Sequence, residues 1–185
     1  MFKRLLGLGS NPNQIVVEKL YEQIVAAARQ PVLYSDWNVP DTPLGRFEMI
    51  SLTMLLTLRR LRGEKGTPAD IAQELVDTFF KEVEYSIREL GISDPGVPKR
   101  MKKLAKMFYG RVGSYGTALD NGDEAALAEA LRRNVRPAET GWAEAQELAR
   151  YAMAAAQMLA EQPTESIVGG SISFLDARLP AGEAA

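Results

Sequence analysis

Residues 94–111, DPGVPKRMKKLAKMFYGR, hold Lys99, Arg100, Lys102, Lys103, Lys106 and Arg111, with no Asp or Glu after Asp94. Side chains of this kind do electrostatic work: they bind phosphate, carboxylate or an anionic surface. At about 100° per residue, Met101, Leu104, Ala105, Phe108 and Val112 fall on one stripe, with the four lysines opposite. The stretch therefore reads as an amphipathic helix, its core edge bounded by Tyr109 and Arg111. One expectation is a solvated face pairing with the preceding acidic segment, since residues 64–94 carry eight acids against three bases, a net −5. Against it, lysines three and four apart repel one another, and this helix has no acid to offset them. The residues alone lead to a charged docking helix with no partner named.

A second constellation precedes it. In VPDTPLGRFE, Asp41 or Thr42 can cap a helix, Pro43 suits its first turn, and Gly45 permits close packing there. Arg46 and Glu48 are less easily accommodated, because a buried helix tolerates charge only when it is paired or at an exposed mouth. With Tyr34 and Trp37 on the connector before them, they outline a groove able to take an apolar helix of a client.

Catalytic chemistry has little to stand on. The 185 residues include no Cys and no His. That excludes disulfides, thiolate nucleophiles, Ser-His and Cys-His arrangements and the usual zinc sites. Carboxylate-bound Mg²⁺ stays open, though no tight Asp/Glu cluster marks a site for it, and an enzyme is disfavoured without being forbidden. A net charge of −2 argues against indiscriminate nucleic-acid binding. Neither an aromatic RNA-binding sheet nor a helix-turn-helix is legible, so sequence-specific nucleic-acid recognition is not expected. No secretory signal is visible, and the longest apolar segment falls short of a membrane span.

The elements that must position these residues are well punctuated. Asn11, Pro12 and Gln14 open a first helix that runs to about Arg29. Residues 30–42 form a connector. A second helix, from about Pro43 to Arg62, is apolar nearly all round and belongs at the centre of a bundle. The third is capped by Thr67, carries the stripe Ile71, Leu75, Phe79, Val83, Ile87 and Leu90, and stops at Gly91. The fourth runs from Pro98 toward Leu119, a short fifth follows, and an Ala-rich sixth spans about 139–161. After Pro163 the β-branched residues and the Gly pair predict an extended tail. The expected fold is all-α: one helical bundle of about six helices over residues 1–176, with 177–185 a disordered tail.

Two long blocks resemble the ubiquinol–cytochrome c chaperone family. The first is YEQIVAAARQPVLYSDWNVPDTPLGRFEMISLTMLLTLRRL at 21–61 and the second is ELGISDPGVPKRMKKLAKMFYGRVGSYGTAL at 89–119. The Gly-x-Ile-Ser-Phe pattern at 170–174 is similar too. The resemblance implies a non-enzymatic assembly chaperone of the respiratory cytochrome bc complex that binds newly made cytochrome b and has no cofactor of its own. It looks like an alphaproteobacterial member, cytoplasmic and peripheral at the inner membrane. The ribosome, a small partner protein and an anionic membrane are further partners to consider. The partner-binding residues are then expected among Tyr34, Trp37, Arg46, Glu48, Lys99, Arg100, Lys102, Lys103, Lys106, Tyr109 and Arg111. One departure stands out: family members often have His where this chain has Thr53. The alternative function is a basic-helix adaptor for ribosomal RNA or for an anionic membrane.

Overall fold

The computed structural model describes residues 12–178. Six long helices carry the fold: α1 (Pro12–Ala28), α3 (Pro43–Arg60), α4 (Thr67–Glu89), α5 (Val97–Asn121), α6 (Glu124–Val135) and α7 (Ala145–Glu161). Two five-residue helices add to them: α2 (Pro31–Ser35) lies in the connector, and α8 (Thr164–Val168) in the segment expected to be extended. Among the described residues there is no strand. Both short helices have Pro just before or at their start, where its fixed φ suits a first turn.

The caps are partly those the sequence suggests. Thr42 Oγ1 accepts from the Gly45 amide at 3.1 Å and starts α3. A Cβ on Gly45 would lie 1.9 Å from the Pro40 carbonyl oxygen, so only glycine fits where the connector folds onto the helix. At α4, however, the cap is Gly66 at φ 68°, and Thr67 is already helical. Glycine reaches that backbone region without strain, which leaves Thr67 with no capping role. The Asn11 cap lies outside the described residues, and Gln14 donates forward to Glu18.

Helix α3 is the central element, packed against α1, α5, α6 and α7. Its near-continuous burial from Phe47 to Thr57 follows from apolar side chains on every face. Two polar residues inside it, Thr53 and Thr57, donate to the carbonyls of Met49 and Thr53 one turn back, so burial leaves neither hydroxyl unmade. Thr53 is thus satisfied within its own helix.

Helix directions create an open end. Asn13 meets Glu74 and Tyr21 feels the charge of Glu82, so α1 and α4 run parallel. Glu48 pairs with Arg111 and Arg59 with Asp120, so α3 and α5 also run parallel to each other. Rings at Phe79 and Phe108 (5.0 Å apart) and the Arg88–Asp94 pair set α4 against α5 in the opposite sense. Helices α1 and α4 therefore end where α3 and α5 begin.

The C-terminal segment is held against the body by side-chain amides. Gln23 Oε1 accepts from the Ile172 amide (2.9 Å) while its Nε2 donates to the Gly170 carbonyl (2.9 Å). Just past the end of α1, Gln30 accepts from Ala177 N–H (2.7 Å) and donates to Leu175 O (3.0 Å). Gln162 does the same for both backbone groups of Ser173. Ile172, Leu175 and Ala177 are buried in consequence.

Candidate functional site

The stripe on α4 outruns the core. Ile71, Leu75 and Phe79 are fully buried, Val83 is half-buried, and Leu90 is 58% exposed. Ile87 is still buried, but toward the end of α4 the neighbouring helices α1, α3 and α5 stand apart from it and leave a gap. The result is a funnel of about 1150 Å³ at the open end, between α1, α3, α4 and α5.

Phe47, Ile50 and Phe79 form its floor, with Phe47 and Phe79 stacked at 5.9 Å. Behind them Phe79, Phe80, Phe108 and Tyr109 make a continuous aromatic cluster, a rigid backing for the cavity. Val25, Val83, Leu104 and Met107 supply the walls. Leu44, Tyr85 and Leu90, three of the large apolar side chains left most exposed, stand at the rim.

Charge is distributed by wall. Arg100 and Lys103 project from α5, Glu82 and Glu89 from α4, Glu22 from α1, and Arg29 from the turn just after it. Asp41 and Arg46 form an exposed pair at 2.6 Å on the connector side, and the guanidinium holds the Asp41 carboxyl below its usual range. Tyr21, inside the funnel, is pushed up to about 12, chiefly by burial and then by the nearby Glu82 carboxylate.

The structure separates the sequence-derived residues. Arg46, Arg100 and Lys103 line the funnel, and Lys99, Lys102, Lys106 and Tyr109 are exposed on α5 outside it. Tyr34 is half-buried behind the Asp41–Arg46 pair, its hydroxyl donating to the Ala28 carbonyl at 2.8 Å. Trp37 lies on another side of the molecule, edge-on to Tyr151 at 5.6 Å, while Trp142 Nε1 donates to its carbonyl. It therefore does not share a wall with Tyr34.

Glu48 and Arg111 do not reach the surface. Both are buried, and Arg111 Nε and Nη2 donate to the two carboxylate oxygens of Glu48 at 2.5 Å. Arg111 Nη1 also donates to the Met107 carbonyl (2.9 Å), just below the funnel wall. Burial raises the Glu48 carboxyl above its ordinary value, against the opposing pull of the guanidinium. Of the two ways a charge survives on a buried helix, pairing is the one realised, and it fastens α3 to α5. Sequence reasoning missed Arg29, Leu44, Tyr85 and Leu90 at the rim. The signal available was Leu90 itself, a leucine on the stripe directly before the helix-stopping Gly91.

Among the described residues, no group of three or more acidic side chains is placed to hold a metal ion, and no helix is long and apolar enough to cross a membrane. The chain matches the ubiquinol-cytochrome C chaperone family over residues 35–174. The chain belongs to this family. It is also similar to a solved structure, the crystal structure of the Cbp3 homolog from Brucella abortus, an alphaproteobacterium, at 52% sequence identity. The similarity covers 90% of this chain and 92% of that one, with a TM-score of 0.84. No curated protein sequence matches it. Membership in this chaperone family makes a protein client, rather than a small substrate, the natural occupant to consider for the funnel.

Proposed function

We propose that this chaperone holds newly made cytochrome b during assembly of the respiratory cytochrome bc complex, and that the funnel receives an apolar helix of that client. One observation carries the reading: an apolar cavity, open at one end of the bundle, with leucines at its lip. Its volume matches about two turns of α-helix at a diameter of about 10–12 Å. A membrane-protein helix outside the bilayer needs its apolar surface covered, and burial of that surface contributes about 25 cal/mol per Å². Arg46, Arg100 and Lys103 at the mouth suit carboxylates or carbonyls at the end of such a helix. Glu48 and Arg111 act at one remove, by keeping α3 and α5 in register beneath it. Tyr34 supports the connector, and Trp37 has no part in the client site.

A photo-crosslinking residue placed at Val83 or Met107 should label newly made cytochrome b in the host. The same residue at Thr117, exposed further along α5, should not. Equal labelling from all three positions, or none from the funnel, would overturn the assignment.

A further inference from the structure

The basic stretch of α5 keeps its charges unpaired. Every ion pair among the described residues uses arginine, and none involves Lys99, Arg100, Lys102, Lys103 or Lys106. The acidic α4 does not neutralise them: Glu84 binds Arg88, and Asp77 accepts from Gln73. Five exposed cations thus sit within eight residues at the start of α5. Lys99, Lys102 and Lys106 form an outer strip about 10 Å long. At the same end of the molecule, Leu44 and Leu90 are 45% and 58% exposed, with Tyr85 beside them.

We propose that this end is a membrane-docking surface, in which the Lys99–Lys102–Lys106 strip binds anionic lipid headgroups and the Leu44–Leu90 rim enters the interface. Lysines are strongly hydrated point charges on long stems, suited to mobile headgroups, whereas fixed bidentate partners favour arginine. Each basic residue near an anionic leaflet contributes about 1 kcal/mol, and adjacent aliphatic side chains add burial at the headgroup boundary. RNA would use the same cations but would gain nothing from two exposed leucines. The carboxylates of Glu22, Glu82 and Glu89 line the funnel, and the outer strip lies outside that lining. Docking in this way sets the funnel mouth at the bilayer surface. The inference does not depend on the identity of the client.

The test is co-sedimentation of the full chain with vesicles of phosphatidylcholine alone and with phosphatidylcholine containing phosphatidylglycerol. Binding should require the anionic lipid and weaken as salt rises. A K99Q/K102Q/K106Q variant should bind on the order of 100-fold more weakly, at about fivefold for each lysine lost. Its circular dichroism and melting temperature should be unchanged, since all three side chains are exposed. L44S/L90S should lose the salt-resistant remainder. Equal binding to both kinds of vesicle, or a triple variant that binds as wild type does, would overturn the proposal. So would tight, lysine-dependent binding of polyuridylate by a protein that ignores vesicles, which would assign the strip to RNA.

Discussion

Helix α1, taken with the turn 29–30 that follows it, has two flanks, and they meet opposite fates. On one, Gln23 and Gln30 hold the backbone of residues 170–177 with four hydrogen bonds, and Ile172, Leu175 and Ala177 of that segment are buried. On the other, Tyr21, Val25 and Arg29 face a cavity that no part of the described chain fills. Polar groups on the first flank are satisfied internally, and the hollow left there, between Gln23, Gln30 and Leu175, holds about 560 Å³ against about 1150 Å³ on the second. The second leaves apolar area and charges without partners, which is how a surface kept for another molecule looks. Both flanks rest on the same core residues of α1, Leu20 and Ile24, so the difference arises from what covers them and not from the helix.

The largest expected effect comes from undermining the open side. Glu48→Ala would strand the Arg111 guanidinium in the interior and should cost about 3–5 kcal/mol in chemical denaturation. A Glu48→Leu/Arg111→Met double variant should recover most of that loss, because two apolar side chains of similar size need no solvation. A double variant as unstable as the single one would show that the pair, and not its burial, holds α3 to α5.

Gln30→Ala attacks the closed side. It removes the partner of Ala177 N–H and one donor to Leu175 O, both at a partly buried site. The expected loss is about 2–3 kcal/mol, with faster amide exchange confined to residues 170–177. Client crosslinking from Val83 should persist. Its disappearance would mean that the two flanks are coupled.

Tyr151→Phe gives the smallest change at neutral pH, within about 1 kcal/mol, since only the hydroxyl's bonds to Gln30 and Leu175 are lost. Its effect belongs to alkaline pH. Burial pushes Tyr151 from 10.0 up to about 12. A folded-state value above the unfolded one contributes stability that is complete below pH 10 and is lost as pH rises through about 12. The Phe variant should therefore show a shallower fall in stability across that window, measured by urea midpoints at successive pH values.

Legibility followed the range of the interactions. Thr42, Pro43 and Gly45 announce the start of α3 because capping is settled within four residues. The apolar circumference of α3 announces its central position for the same local reason. The fastening of residues 170–177 was not legible, because a glutamine amide paired with backbone 147 residues away leaves no periodic trace. Nor was the burial of Arg111, which shares a helix with five exposed cations and differs only in the carboxylate it meets.

The sequence by itself determined an all-helical chain, a central apolar helix, a basic amphipathic helix and a family likeness, all of which are properties of neighbouring residues. Tertiary structure alone decided that α1 and α4 end where α3 and α5 begin, so that Val83 and Leu90 open onto a funnel instead of a core. It also chose which charges are sealed, Glu48 with Arg111, and which are left to solvent at Lys99, Lys102 and Lys106. Helix directions and long-range pairing depend on how separate elements dock, and one element's pattern specifies only the face it offers.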